Sequence, residues 1–95
     1  MVWLSFEWDD EKDRLNMLKH GISFKDAALV FEDEYHIEMY DFEHDSDEDR
    51  YIAIGKVKEV LFVVFTERKE RIRLISARIA NAAERRLYHD RDLYP

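Results

Sequence analysis

The chain has 95 residues, 46% of them hydrophobic and 14% aromatic, which predicts a single domain over residues 1–95 and favours a packed core over a disordered chain. Cysteine is absent, so disulfides and thiolate metal sites are excluded. The net charge of −7 is unevenly divided, because residues 1–50 carry 16 acidic and 5 basic side chains (net −11) and residues 51–95 carry 6 and 10 (net +4).

The N-terminal third predicts one strand and two helices. Residues 3–8 alternate loosely and favour a strand. Asp9 is suited to cap a helix that Gly21 ends in the left-handed conformation. Ser23, with an acidic residue three positions later, predicts the cap of a second helix over residues 24–32.

The rest of the chain predicts four strands and a final helix. Residues 35–40 favour a strand, and residues 41–49 an acidic loop. Three more strands are predicted at 50–57, 60–68 and 71–78, the middle one central because it is apolar on both faces. Asn81 and Glu84 form a capping-box pattern that opens a helix to about residue 90. The fold class is therefore α+β, an antiparallel sheet with helices on one face, in the order β-α-α-β-β-β-β-α.

Arginine is concentrated in the basic half and points to an anion-binding face, for which phosphate is the best-fitting anion. Strict alternation in residues 71–78 predicts that Ser76 and Arg78 share one face, whereas Arg71 and Arg73 lie on a solvated opposite face. With adjacent strands aligned, Arg50, Arg68 and Arg78 would converge. The alternative is that Arg68 and Arg78 are paired with the acidic residues of the N-terminal half.

Other side chains are candidates for proton transfer. His20, with Lys19 beside it, could act as general acid or base, or both could simply interact with the helix C-terminus. Glu48 could serve as a base or form an ion pair. Residues 41–49 lack the glycine of a calcium loop, and His36, His44 and His89 lack metal-ligand spacing, so neither a metal nor a cofactor is expected. The longest apolar run, residues 60–65, is too short for a membrane span, and we expect a cytoplasmic protein.

The motifs resemble the BrnT-type toxins of bacterial type II toxin–antitoxin systems. The similarity runs over residues 6–88. It is carried in the first half by Phe6-Glu7-Trp8-Asp9, Lys12, Asn16, Lys19-His20-Gly21, Ser23-Phe24, Ala27, Phe31 and Asp33. In the second half it is carried by Asp47-Glu48-Asp49-Arg50-Tyr51, Ile54-Gly55, Val64-Phe65-Thr66-Glu67-Arg68, Arg73-Leu74-Ile75-Ser76-Ala77-Arg78, Glu84-Arg85 and Tyr88.

This resemblance implies a RelE-like ribonuclease that arrests growth by cutting RNA. It implies neutralisation by a BrnA-like, DNA-binding antitoxin, with operator DNA bound only through that antitoxin. Transferred by position, the catalytic residues would be Lys19, His20, Glu48, Arg68 and Arg78, and the RNA-binding residues Arg50, Thr66, Ser76 and Arg85. We expect cleavage without a metal, by attack of the ribose 2′-hydroxyl on its own phosphate. The alternative is an inactive interaction module that acts as a co-repressor.

Overall fold

A computed structural model describes residues 5–43 and 48–90, and the predicted acidic loop and His44 therefore lie partly or wholly outside the described residues. Within it, the chain forms five strands and three α-helices, with no helix long and apolar enough to cross a membrane. In chain order the elements are β1 (Ser5–Glu7), α1 (Asp10–His20), α2 (Phe24–Ala27), a 3₁₀ segment (Ala28–Glu32), β2 (Ile37–Tyr40), β3 (Tyr51–Val57), β4 (Glu59–Arg68), β5 (Arg71–Ile79) and α3 (Ala82–His89).

The three predicted helix caps are confirmed. Asp9 accepts a hydrogen bond from the Lys12 backbone N–H at 3.0 Å, and Gly21 ends α1 with a φ of 72°. The Ser23 hydroxyl accepts from the Asp26 N–H, although the helix it caps tightens into the 3₁₀ segment after only four residues. Asn81 and Glu84 form a reciprocal capping box.

The five strands form one sheet in the order β1-β5-β4-β3-β2, with β4 at the centre as predicted. The expectation of an antiparallel sheet is wrong at one edge, because β1 pairs in parallel with β5. These two strands are far apart in sequence, so no hairpin fixes their relative direction. The sheet is therefore mixed.

The helices cover both faces of the sheet, which corrects the prediction that they pack on one. The α1 face buries Val63, Phe65 and Leu74 against Phe24 and Phe31 of the α2 and 3₁₀ segments. Opposite lies the α3 face, where Ile54, Val60 and Phe62 form a smaller cluster with Tyr88 of α3. Helix α3 covers one end of its face, and the other end is left open to charged side chains.

A β-bulge interrupts β5 near its middle. Ser76 is opposite Val64 and Leu74 is opposite Phe65, so Ile75 is an extra residue with no counterpart on β4. An extra residue shifts the alternation by one position, so side chains before the bulge change faces relative to those after it. Leu74 and Ala77 are consequently both buried on the α1 face.

Candidate active site

The bulge brings arginines together that strict alternation separates. Arg73 is opposite Thr66, and Ser76 is opposite Val64, so Arg73 shares the α3 face with Ser76 and Arg78. The prediction that Arg71 and Arg73 lie on the face opposite Ser76 and Arg78 is therefore wrong, although Arg71 is exposed as predicted. Arg73 is only 24% exposed, which is also unlike a solvated side chain.

Two rows of side chains cross the open end of the α3 face. The first contains Thr66, Arg73 and Glu7, and extending the β3–β4 register by one residue adds Arg50 opposite Thr66. The next row along β4 contains Arg68, paired with Glu48. Together Glu7, Glu48, Arg50, Arg68 and Arg73 form what we call the arginine cluster.

Carboxylates hold the arginine cluster together. The Arg68 Nε donates to Glu48 at 2.8 Å, and Arg73 donates to Glu7 at 3.2 Å. The hydrogen bond from Arg68, and more weakly the charges of Arg50 and Arg73, keep the pKa of Glu48 below its ordinary value. The same bond raises the pKa of Arg68. Glu48 is thus an ionised partner of arginine, the ion-pair alternative left open by the sequence.

Thr66 supports this cluster from a buried position. Its side chain is 1% exposed, and its hydroxyl donates to the Asp49 carbonyl at 2.6 Å. The bond ties the segment carrying Glu48 and Arg50 to the centre of the sheet. Direct contact of Thr66 with RNA stays a prediction.

Arg78 lies further along the same face, beneath α3. It forms a two-pronged pair with Glu84, at 2.8 and 2.9 Å, and its guanidinium lies 4.1 Å from the centre of the Phe62 ring. Burial raises the pKa of Glu84, but hydrogen bonds from Arg78 and the Asn81 backbone outweigh it, so the pKa lies below its ordinary value. Arg85 donates to the Ala80 carbonyl at 2.7 Å and so fixes the turn into α3.

Asn16 fastens α1 to the edge of β5. Strand β1 pairs with β5 only as far as Arg73, so within residues 5–43 and 48–90 no strand borders β5 on that side beyond this residue. There the Asn16 amide replaces one: it donates to the Ala77 carbonyl at 2.8 Å and accepts from the Ala77 N–H at 3.1 Å. A further bond to the Ile22 carbonyl, at 2.8 Å, fixes the chain after the helix.

Lys19 and His20 follow Asn16 by three and four positions and thus lie one turn further along the same side of α1. With Ser76 and Ile75 they line a cleft of about 190 Å³ between α1 and the bulged strand, which we call the helix cleft. The lining residues are Lys12, Leu15, Asn16, Lys19, His20, Ile75 and Ser76. The structure therefore brings Lys19, His20 and Ser76 together.

Register sets the spacing between these groups. On β4, Val64 faces Ser76, Thr66 faces Arg73 and Phe62 faces Arg78. Thr66 and Phe62 are each two positions from Val64, so the backbones of Arg73 and Arg78 each lie about 7 Å from that of Ser76. Arg68 is six positions along β4 from Phe62, the residue opposite Arg78, so the backbones of Arg68 and Arg78 are separated by about 20 Å along the sheet. The predicted convergence of Arg68 and Arg78 is therefore not found, because they share a face but lie at opposite ends of it.

Two residues, Arg73 and Asn16, were not assigned to the candidate site from the sequence. Arg73 was assigned to the wrong face because nothing in Leu74-Ile75-Ser76 signals a bulge. Asn16 entered only as a motif residue. The available signal was an asparagine in the interior of a helix, next to the apolar residues Leu15, Met17 and Leu18. These three are exposed and Asn16 is buried, as expected of an amide whose hydrogen bonds hold the helix in place.

Comparison with known proteins identifies similar chains. Residues 8–84 match the family model described as the ribonuclease toxin, BrnT, of type II toxin–antitoxin systems. The crystal structure of the Brucella abortus ribonuclease toxin, BrnT, is similar in fold, with a TM-score of 0.60 and 25% identity over 83% of this chain and 99% of that one. No curated protein matches. Since the family model covers most of its length, the chain belongs to the BrnT family of ribonuclease toxins.

Proposed function

We propose that this chain is a metal-independent endoribonuclease whose reaction centre lies at Ser76. One observation carries the proposal: the bulge at Ile75 and the clamp made by Asn16 place His20 and Lys19 on one side of Ser76. Arg73 and Arg78 flank Ser76 on the sheet. An imidazole, an ammonium group and guanidinium groups around one serine are groups that RNA cleavage can use.

The reaction we propose begins with the ribose 2′-hydroxyl. His20 takes its proton, the 2′-oxygen attacks the adjacent phosphorus, and the phosphorus–5′-oxygen bond breaks. The leaving 5′-oxygen accepts a proton, from solvent or from the protonated imidazole. The products are a 2′,3′-cyclic phosphate and a free 5′-hydroxyl. Lys19 and the arginines stabilise the negative charge that builds on the phosphate oxygens.

Arginines that pair with carboxylates retain donors for phosphate. A guanidinium has five N–H groups. Arg73 uses one on Glu7, and Arg78 uses two on Glu84 and one, at 3.3 Å, on the Ile79 carbonyl. The carboxylates therefore orient the guanidinium groups and leave some of their N–H donors available for phosphate. This arrangement explains how an acidic protein can present a local phosphate site.

The arginine cluster is suited to a neighbouring nucleotide. Arg68 lies about 13 Å along the sheet from the level of Ser76, too far to act on the same phosphate. Beside it is a depression of about 720 Å³, lined by Glu7, Arg68, Lys69, Glu70 and Arg71. We assign Arg50 and Arg68 to binding the flanking backbone, with Glu48 as the carboxylate that holds Arg68 in place.

Cleavage of RNA in the presence of EDTA tests the proposal. The protein should convert an end-labelled oligoribonucleotide to 2′,3′-cyclic phosphate products and spare a substrate carrying 2′-deoxyribose. His20→Ala and Arg78→Ala should each lower kcat by about 10²–10³-fold, the effect of removing a group that stabilises transition-state charge. Arg86→Ala, the same charge change on an exposed site of α3, is the matched control. Equal cutting by Arg78→Ala and Arg86→Ala would remove Arg78 from the mechanism, and EDTA-sensitive cutting would refute metal independence.

In the cell, we propose that this activity arrests growth and that a DNA-binding, BrnA-like antitoxin neutralises it, with operator DNA contacted only through the antitoxin. Family membership in type II systems supports such a partner. A non-catalytic co-repressor is the second candidate, because Arg68, Arg73 and Arg78 all pair with carboxylates of the same chain. Expression in bacteria without the antitoxin separates the two: arrest that His20→Ala abolishes supports the enzyme, whereas tolerated expression supports the co-repressor.

A further inference from the structure

Among the strands that the structure describes, none pairs with the outer side of β2, the strand at the far edge of the sheet. The Asp41 N–H donates to the Arg50 carbonyl at 2.9 Å, so this residue faces β3. Backbone groups of an antiparallel strand alternate in direction. Those of Glu38 and Tyr40 therefore point away from the sheet. At the edge of β5, by comparison, the Asn16 amide hydrogen-bonds the backbone of Ala77 beyond the end of β1.

Exposed apolar side chains lie beside this open edge. Phe42 is 87% exposed, Leu87 of α3 is 51% exposed and Tyr40 is 40% exposed. The Tyr40 and Phe42 rings contact one another, with centroids 4.7 Å apart. They border a groove of about 350 Å³ whose other apolar walls are Met39, Ile52, Ile54 and Phe62. An edge strand next to an accessible apolar groove is the arrangement that binds an additional strand.

The charge of the groove specifies its occupant. Three of its ten lining residues are acidic, namely Asp41, Glu43 and Glu84, and since Arg78 pairs with Glu84, the negative charge of the groove rests on Asp41 and Glu43. Glu38 adds another carboxylate on β2, on the opposite face of the sheet and hydrogen-bonded to the His36 ring at 2.7 Å. RNA would be repelled here, and a second copy of this chain would bring the same acidic edge. A segment that alternates apolar residues with Lys or Arg complements both the groove and its charge.

We propose that β2 binds a basic, alternating β-strand of the antitoxin, which extends the sheet at this edge. The inference rests on the proposed function in one respect, the identity of the partner as an antitoxin. The bound strand covers Tyr40 and Phe42, and the groove beside it lies on the same face of the sheet as Ser76, with Phe62 and Glu84 of its lining in contact with Arg78.

A synthetic peptide of about ten residues that alternates Lys and Val is the probe. Anisotropy titration should show saturable binding, and amide NMR shifts should concentrate at residues 37–42. An alternating Glu–Val peptide and a Lys–Val peptide with N-methylated backbone amides should each bind at least about tenfold more weakly, since one has the wrong charge and the other cannot complete the ladder. Phe42→Glu should weaken binding similarly, whereas Leu18→Glu, the same change at an exposed α1 leucine, should not.

Each result has a defined meaning. Absent binding, equal binding of the Glu–Val or N-methylated peptide, or shifts centred elsewhere would overturn the proposal. Phe42→Glu should cut RNA at the wild-type rate. If the wild-type protein cuts no RNA but still binds the peptide at β2, the proposed enzyme fails while strand uptake stands. If it cuts RNA and fails to bind at β2, the reverse holds.

Discussion

Replacing Asn16 with alanine tests the clamp between α1 and β5. The substitution removes three hydrogen bonds, two of them to Ala77 and one to the Ile22 carbonyl. Asn16 is 7% exposed and Ala77 is fully buried. Water therefore has little access to the Ala77 N–H and carbonyl once the amide is gone.

The expected cost follows from those unpaired groups. A buried donor or acceptor left without a partner costs about 1–3 kcal/mol. The two Ala77 groups together give about 2–6 kcal/mol, whereas the Ile22 carbonyl is only partly buried and can be hydrated. We expect a loss of about 3–5 kcal/mol in the free energy of unfolding, a large share of the ~5–15 kcal/mol typical of a domain.

Urea unfolding followed by tryptophan fluorescence measures this loss. Asn16→Asp, which keeps the shape and the acceptor but loses both N–H donors, should be destabilised as well. Arg14→Ala, at an exposed site on the same helix, should leave the midpoint essentially unchanged. A cost below about 1 kcal/mol for Asn16→Ala would refute the reasoning, because that is the net value of a single ordinary hydrogen bond.

Three further predictions concern the sheet and its charges. Arg73→Ala should lower kcat for RNA cleavage by about 10²-fold and Arg86→Ala should not, and equal rates would remove Arg73 from the site. Lys58 has a φ of 66°, in the left-handed region. Lys58→Gly should raise the free energy of unfolding by about 0.5–1 kcal/mol, because relief of left-handed strain exceeds the entropic cost of glycine. A lower urea midpoint for the variant would contradict this. The pKa of Glu84 is lower in the folded state than in the unfolded state. The stability contributed by its pair with Arg78 is therefore present above the pKa of the unfolded state and is lost as the pH falls through the pKa of the folded state. Glu84→Gln should therefore lower stability at neutral pH, and the difference from wild type should shrink below about pH 4.3; a difference that persists at low pH argues against the pair.

Much of the fold could be predicted from sequence because its signals are local. The caps at Asp9, Ser23 and Asn81 depend on side chains that bond backbone groups three residues away, and all three form as predicted. The central position of β4 follows from its apolar character on both faces. The BrnT resemblance, confirmed by the family match, also rests on residue types in order along the chain. The RelE-like label and the roles assigned to individual site residues stay predictions.

Tertiary structure alone decided where the charged side chains meet. A bulge at Ile75 depends on how β5 packs against β4 over its whole length, and it moves Arg73 to the face of Ser76 and Arg78. The pairing of Asn16 with Ala77 joins residues 61 positions apart. Direction of β1 and the faces covered by the helices are likewise set by long-range packing. Sequence by itself determined the elements and the family, because these follow from local chemistry. Which arginines act together was decided by the register between distant strands.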